Sequence, residues 1–322
     1  MSQTSSAPRS PSLQNFYREI DAENMTPLWE VLGELVPREP RTPCVPVLWR
    51  WDLLRARLME AGGLITAEKA ERRVLVLENP GLRGGSAVTH SLYAGVQLLL
   101  PGEIAPNHRH TANAIRLILE GEGGYTSVDG ERTPMVPGDF IITPSWTYHD
   151  HWNSGDQAVI WLDGLDVPIV QMFDAAFSDR YPDARHPATR PEDDFLSRYS
   201  GRLLPVDYEV GRANPVFRYP YSETREALEK MLANGPVHAA HGVKIRFSHP
   251  GTGGWPTPTM GAFTQLLPAG FDGLEHRSTD GTTYCVVEGK GCTYVGEQRI
   301  EWAQHDVFVA PSWMPVRHVS PG

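Results

Sequence analysis

The sequence predicts a mainly β protein made of two similar antiparallel barrels, with helices at its N-terminus. Three observations indicate this fold class. Glycine and proline are abundant, at 30 and 28 of 322 residues. Turn dipeptides such as Pro-Gly and Glu-Gly separate short apolar segments at intervals of roughly 8–12 residues, as in small barrels and sandwiches. Two such stretches are similar in sequence, and the length is near that of two ordinary domains.

The composition limits what the protein binds. Twenty-nine basic and 39 acidic residues give a net charge of −10, which argues against a nucleic-acid-binding surface. No apolar run approaches the roughly 18–20 residues that a membrane helix needs. Cys44, Cys285 and Cys292 are odd in number and lack CxxC spacing, which fits structural thiols in a reducing compartment. We predict a cytoplasmic protein with a small partner, no nucleic acid and no membrane.

The N-terminal part is predicted to be helical. Residues 1–14 are rich in Ser, Pro and Gln and predict a disordered tail. In the helical region, residues 15–73, apolar side chains recur at helical spacing between Leu13 and Val36 and again between Trp51 and Ala61. Thr66 is a candidate N-cap of a third, short helix.

The remainder divides into a first barrel, a connecting segment and a second barrel, at residues 74–170, 171–240 and 241–322. The connecting segment is polar and carries one helix candidate, Ser222 to Ala233. Little sequence follows the last Pro-Ser-Trp corner. We therefore expect either a partner or the N-terminal segment to cover the second barrel.

The two barrels are predicted to be copies of one unit. LLLPGEIAPNHRHTANAIRLILEGEGGYT, from Leu98, parallels LLPAGFDGLEHRSTDGTTYCVVEGKGCTY, from Leu266. GDFIITPSW, from Gly138, parallels HDVFVAPSW, from His305. The copies match turns, strands and the Pro-Ser-Trp corner in the same order, which indicates an internal repeat.

A metal site is predicted in the first copy. His108 and His110 are two residues apart, so in a strand they share one face. His149 follows later in the chain, where a return strand of an antiparallel barrel brings it beside the first two. Three neutral imidazoles form an open site for a divalent ion, with vacant positions for substrate.

The flanking residues resemble the two motifs of the cupin superfamily, which are small antiparallel barrels that bind one metal. The matching positions are Gly102, His108 and His110, then Pro144, His149 and Asn153. From Leu92 to Asp166 the sequence further resembles the gentisate 1,2-dioxygenase family of bicupins. That family also contains salicylate and 1-hydroxy-2-naphthoate dioxygenases.

This resemblance implies a homotetramer with mononuclear Fe(II) on His108, His110 and His149, and O2 as co-substrate. It implies a small aromatic carboxylic acid as substrate, with a hydroxyl ortho to the carboxylate. The ring is opened between the carbons that bear these two groups. Cupins often add a glutamate three to five residues after the second histidine, where this sequence has Asn113, Ala114 and Ile115.

Five residues are candidates for substrate binding. Arg116 matches the family's carboxylate-binding arginine, or is an exposed strand arginine; a guanidinium group binds a carboxylate through two parallel hydrogen bonds. Arg72 matches a further active-site arginine, or is an exposed charge at a helix end. Gln97 is either an inward amide or a structural residue at the barrel end. Trp146 and Tyr148 are expected to shape the pocket rather than take part in chemistry.

Two more residues are candidate catalytic groups. His151 shares the face of His149 and is either an acid/base or a support for the ligands. Asp163 matches a position near the family's site, where it would orient His151 or a ligand. In the second copy His276, Ser278 and Val316 replace the three ligands, and His318 aligns with His151, so no metal site is expected there.

Several functions stay open at this point. Gentisate is the favoured substrate. The alternative is salicylate, a 5-substituted salicylate or 1-hydroxy-2-naphthoate. Leu117 and Tyr148 stand where bulkier aromatics are expected, which favours a 5-substituted salicylate among these. A non-catalytic cupin that binds an aromatic acid, or another metal-cupin enzyme such as an isomerase, is a further alternative.

Overall fold

The computed structural model describes residues 10–199, 203–211 and 213–321, and the chain divides into two compact units, residues 1–41 and 42–322. The first unit contains helices α1 (Pro11–Ala22) and α2 (Leu28–Leu35). Residues 1–9 of the expected tail lie outside the described residues. Its last part is not a tail, because Ser10 Oγ caps α1 by accepting from the Leu13 N–H at 3.3 Å, and proline is favourable at the first helical position.

The second unit opens with short helices and one strand. They are β1 (Val47–Trp49), α3 (Trp51–Leu64), α4 (Ala67–Ala70) and a 3₁₀ turn, Pro80–Leu82. The predicted N-cap is confirmed, since Thr66 Oγ1 accepts from the Lys69 N–H. Among the described residues, no helix combines the length and apolarity needed to cross a bilayer.

The first barrel consists of two antiparallel sheets. Its strands are β2 (Val74–Val76), β3 (Tyr93–Leu99), β4 (Ile104–His110), β5 (Ala114–Glu120), β6 (Gly124–Val128), β7 (Glu131–Pro134), β8 (Phe140–Thr143), β9 (His149–Asn153), β10 (Val159–Leu165), β11 (Ser178–Arg180) and β12 (Arg218–Tyr219). The six-stranded sheet has the order β12-β8-β5-β10-β3-β2, and the five-stranded sheet has the order β11-β4-β9-β6-β7.

The connecting segment contributes to this barrel. It contains α5 (Val167–Met172), α6 (Asp194–Tyr199) and α7 (Tyr221–Asn234). Its strands β11 and β12 pair with β4 and β8 and so form the outer edge of each sheet. The segment therefore covers sheet edges that would otherwise be open to pairing with other chains.

The second barrel is built from shorter sheets. Its strands are β13 (Val243–Arg246), β14 (Phe263–Leu266), β15 (Thr282–Cys285), β16 (Lys290–Val295), β17 (Gln298–Ala303), β18 (Val307–Ala310) and β19 (Val316–Val319). β1 joins this barrel by pairing with β18, with Val47 opposite Val309. Arg50 Nη1 reinforces the junction with an ion pair to Asp306 Oδ2 at 3.0 Å. The N-terminal segment thus pairs with the second barrel, which was one of the two expectations from sequence.

The repeat is visible in the pairing of the two barrels. His276 bridges to Val316 in the same way that His108 pairs with His149. Both Pro-Ser-Trp corners place their tryptophan in the left-handed backbone region, with φ of 61° and 64°. Inside the first barrel, a cluster that includes Ile118, Ile141 and Trp161 is almost fully buried. This core fills the barrel and leaves the histidine end of β4 and β9 for polar side chains.

Candidate metal centre and active site

Three histidines meet where β4 and β9 pair. His108 lies directly opposite His149, and a bulge in β4 between Ala105 and His108 re-aims the strand just before the histidines. The ring centroids are 4.3 Å apart for His108 and His149, 4.9 Å for His110 and His149, and 5.2 Å for His108 and His110. Among the described residues, this is the one group of three or more His, Cys, Asp or Glu residues whose potential ligand atoms lie within 4.8 Å of one another.

Backbone carbonyls determine which ring nitrogen of His110 and of His149 is available to a metal ion. The Nδ1 of His110 is 2.7 Å from the Ala112 oxygen, and the Nδ1 of His149 is 2.9 Å from the Thr147 oxygen. A carbonyl only accepts, so each Nδ1 carries the proton and each Nε2 has a free lone pair. The Nε2 of His149 is buried and has no hydrogen-bond partner. Such an orphaned acceptor fits a metal ligand.

The imidazoles are held in the neutral form that metals bind. Burial, followed by the charge of Arg72, lowers the pKa of His108 to about 2. Burial also lowers the pKa of His110, and it lowers that of His149 well below its ordinary value. All three rings therefore offer lone pairs at neutral pH, and the set supplies no negative charge to the ion.

Arg72 lies beside the triad. Its Nη2 donates to the Pro106 oxygen at 2.5 Å and contacts both ring nitrogens of His108, with 3.3 Å to Nε2. Burial and the neighbouring charge of Arg116 lower the pKa of Arg72 to about 10, so it stays a cation at neutral pH. Of the two expectations for Arg72, a site residue and an exposed helix-end charge, the geometry fits the first.

A second arginine is buried in the same barrel. Arg116 on β5 lies opposite Asp163 on β10, and Arg116 Nε is 3.0 Å from Asp163 Oδ1. Arg116 Nη1 donates to Thr143 Oγ1 at 2.5 Å, and Trp161 Nε1 donates to Asp163 Oδ2 at 3.0 Å. Burial raises the pKa of Asp163 to about 6 against the opposing charge of Arg116. The two arginines give this end of the barrel one positive charge more than Asp163 neutralises.

His151 and Gln97 face the same interior. The His151 ring lies 5.8 Å from His149 and 5.1 Å from Trp161, and its Nδ1 is buried without a partner. Gln97 on β3 is directly opposite Trp161, and its Nε2 is also buried without a partner. Unpartnered buried groups cost free energy, so these atoms are suited to receive a polar ligand.

Trp146 and Tyr148 do not line this pocket, contrary to the expectation from sequence. Arg109 places its guanidinium 4.3 Å from the centroid of each ring, and Tyr148 Oη donates to Asp179 Oδ2 at 2.7 Å. Arg109 lies between two ligands on β4 and Tyr148 directly precedes the ligand that begins β9, so alternation turns both side chains to the outer face. Trp146 packs on Phe177 on that face.

Asn113 is the polar residue among the three positions where cupins often carry a glutamate ligand, and its side chain is engaged elsewhere. Its Nδ2 donates to Asp166 Oδ2 at 2.8 Å, and its backbone N–H donates to Asp166 Oδ1 at 2.7 Å. Its own side-chain oxygen accepts from the Ser145 N–H at 3.0 Å. The triad therefore has no carboxylate neighbour from this position.

Sequence reasoning missed three residues that support the site: Thr143, Trp161 and Asp166. Thr143 could have been found as the polar residue that ends the apolar strand FIIT. Trp161 and Asp166 stand at either side of Asp163 in WLDGLD, but nothing local shows that one holds Asp163 and the other holds Asn113.

The chain is similar to known cupins and dioxygenases. The profile of the family described as Cupin domain matches residues 95–166. Gentisate 1,2 dioxygenase 1 of Aquipseudomonas alcaligenes is 49% identical over 306 residues, covering 95% of this chain and 88% of that protein. The 5-aminosalicylate 1,2-dioxygenase of Comamonas sp is 35% identical over 313 residues, covering 96% and 83%.

A solved structure has the same fold throughout. The salicylate 1,2-dioxygenase from Pseudoaminobacter salicylatoxidans, determined with gentisate, superposes with a TM-score of 0.90 and 33% identity. The match covers 99% of this chain and 90% of that one. Since sequence and fold agree over nearly the whole length, the chain belongs to the gentisate 1,2-dioxygenase family of bicupins, which are ring-cleaving dioxygenases.

Proposed function

We propose that the protein is a cytoplasmic, homotetrameric Fe(II) dioxygenase that opens the ring of a 2-hydroxybenzoate, with gentisate as the preferred substrate. His108, His110 and His149 would hold the metal, because their neutral rings converge and the Nε2 of His149 has no other partner. The observation that carries the choice of substrate class is the buried guanidinium of Arg116 in the same barrel.

Bound iron would supply coordination sites for the substrate's carboxylate and ortho hydroxyl oxygens and for O2, and a path for electrons from ring to O2. The protein's own residues first supply positive charge for binding the substrate. Arg116 and Arg72 attract the anionic substrate, and Arg116 is held in place by Thr143 and Asp163. A guanidinium shielded from water binds a carboxylate more strongly than an exposed one does.

We assign to His151 the role of hydrogen-bond partner to the hydroxyl group of the substrate. The buried Nδ1 of His151 has no partner, and burial keeps its pKa well below the ordinary value, so the ring is neutral and can accept a hydrogen bond from the bound hydroxyl. Asp163 orients Arg116, and the free Nε2 of Gln97 donates a hydrogen bond to a substrate oxygen. The apolar core behind these groups excludes water from the reaction.

Substituted salicylates are the second candidate, because the compared relatives include a 5-aminosalicylate dioxygenase and a salicylate dioxygenase. The two sequence departures that favoured them do not support the choice. Leu117 packs into the apolar cluster outside the barrel interior, and Tyr148 faces Asp179 on the outer surface. Gentisate, whose second hydroxyl makes the ring easier to oxidise, remains the first choice.

The test is an anaerobic titration of the Fe(II) protein with gentisate, salicylate, 5-aminosalicylate and 1-hydroxy-2-naphthoate, followed by O2. We expect oxygen uptake of one O2 per ring opened, and the highest kcat/KM for gentisate. No uptake with any of the four would overturn the enzyme assignment. A higher kcat/KM for a salicylate would replace gentisate as substrate and leave the reaction class in place.

A further inference from the structure

A large cavity lies between the two barrels; Arg116 and Asp163 line it, whereas the three histidines of the triad do not. It has a volume of about 870 Å³ and is enclosed mainly by the second barrel, with Leu117 and Leu162 of the six-stranded sheet as part of one wall. Arg116 borders this wall, but Thr143 and Asp163 hold its guanidinium. The cavity is within the size range of small-molecule sites, roughly 300–1,000 Å³. Its aromatic lining residues include Tyr221, Phe247, Trp255, Phe263, Tyr284 and Phe308.

A lysine without a counter-ion faces this cavity. Lys244 on β13 places Nζ 3.6 Å from the centroid of the Phe263 ring and forms no ion pair with a carboxylate of the described residues. The nearby Asp280 accepts hydrogen bonds from Ser278 and Thr282 Oγ1. Among the other charged residues that line the cavity, Arg225 pairs with Glu288 at 3.2 Å and Arg116 pairs with Asp163 at 3.0 Å, while Lys290 is exposed. Burial lowers the pKa of Lys244, as expected for a cation that lacks a full partner.

A buried histidine nitrogen faces the same space. His318 on β19 is 3% exposed, and its Nε2 has no hydrogen-bond partner. Its Nδ1 is 2.9 Å from Thr293 Oγ1, which accepts from Trp302 Nε1 at 2.9 Å. If the threonine hydroxyl donates to Nδ1, all three groups are satisfied and the proton of the neutral ring sits on Nε2. The free Nε2–H is then a donor for an acceptor in the cavity.

Lys244, Phe263, Tyr284 and His318 contact one another in that order along the cavity wall. Tyr284 contacts His318 edge-on with ring centroids 5.3 Å apart, and it lies 5.8 Å from Phe263, on which Lys244 rests. A cation and a neutral N–H donor therefore flank two aromatic rings. We propose that this cavity is a second binding site for a small aromatic carboxylate, with its carboxylate on Lys244 and His318 and its ring against Phe263 and Tyr284.

The experiment counts benzoate molecules bound per chain by equilibrium dialysis on the anaerobic Fe(II) protein. Benzoate lacks the ortho hydroxyl and is not a ring-opening substrate. The wild type should bind two molecules, one at Arg116, which rests on the proposed function, and one at Lys244. Lys244→Met should bind one, or bind the second at least about tenfold more weakly, because the charge-assisted hydrogen bond is lost. Arg116→Met should also bind one.

Arg246→Met is the matched control, because Arg246 lies on the same strand, is exposed and does not line the cavity. It should bind two. His318→Phe keeps the cavity aromatic and should weaken the second site, while cooperative thermal unfolding and unchanged binding at Arg116 show that the variant is folded. If Lys244→Met and His318→Phe bind benzoate like the wild type, the inference is wrong. If one molecule binds and only Lys244→Met loses it, the second site stands and Arg116 is not the carboxylate-binding residue.

Discussion

Replacing Arg116 with methionine tests how the active-site charges are balanced. Arg116 and Asp163 are 3% and 6% exposed and lie 3.0 Å apart. Removing one partner of a buried ion pair costs about 3–5 kcal/mol in the free energy of unfolding, since the remaining charge has no counter-ion. Each kcal/mol lowers Tm by about 2–4 °C in units of 150–250 residues. Arg116→Met should therefore melt about 6–20 °C lower at pH 8.

The decrease in Tm of Arg116→Met should depend on pH in a defined direction. Burial already raises the pKa of Asp163 to about 6, and the charge of Arg116 opposes that rise. Without Arg116 the pKa of the folded protein rises further. A carboxyl whose folded pKa exceeds its unfolded pKa stabilises the fold at low pH, and this stability is lost as pH rises through the folded pKa. The difference in Tm between wild type and variant should thus be small at pH 5 and grow above pH 6.

Differential scanning fluorimetry between pH 5 and pH 9 measures this dependence. Arg116→Met/Asp163→Asn should lose the part of the deficit that depends on pH, because the titrating carboxyl is gone. An equal deficit at every pH, or one that grows toward pH 5, would refute the coupling of the two residues.

Four further predictions follow from the site and its supports. His149→Ala should retain almost no iron after anaerobic loading, whereas His276→Ala should retain about one per chain by elemental analysis; iron in the first variant would contradict the triad. Thr143→Val removes the acceptor of Arg116 Nη1 and should raise KM about tenfold with a smaller change in kcat, whereas an unchanged KM would leave Thr143 without this positioning role. Arg73→Met breaks the two hydrogen bonds to Glu103 at 2.6 and 2.7 Å and should cost about 3 kcal/mol of stability with kcat per folded chain unchanged. Burial raises the pKa of Glu103, but the hydrogen bonds and charge of Arg73 lower it overall. The loss of stability in Arg73→Met should therefore become smaller as pH falls below 4.5, and a loss that becomes larger there would contradict the role of this ion pair. Asp306→Ala removes the acceptor of the Trp51 N–H at 2.7 Å and should lower stability by about 2 kcal/mol without changing iron content; an unchanged Tm would show that this junction adds little.

The barrels and the triad could be predicted because their signals are local. Strand alternation places His108 and His110 on one face, and turn residues divide the strands around them. The pairing of β1 with β18 could not be derived, because Val47–Trp49 carries no signal that selects a partner so far along the chain. The sequence left the cover of the second barrel open between two sources, and only the three-dimensional contacts identify one.

The errors at the site have a physical cause. Tyr148 directly precedes His149, and neighbours along an extended chain face opposite sides of a sheet. Trp146 lies in the corner before β9, where its backbone is left-handed with φ of 61° and its ring packs on Phe177. Thr143 and Asp166 were missed because their roles depend on cross-strand contacts, to Arg116 and to Asn113. Spacing identifies residues that share a face, whereas hydrogen-bond partners from other strands depend on register.

The junction between β1 and β18 also bears on how the chain folds during synthesis. Arg50 and Asp306, which pair beside it, are 256 residues apart. Chains fold from the N-terminus as they emerge, and contacts between distant residues form late because closing a long loop costs entropy. The first barrel can therefore close while β1 still lacks its partner. During that interval the edge Val47–Trp49 has no partner strand, and its length of three residues limits the pairing that other nascent chains can make with it.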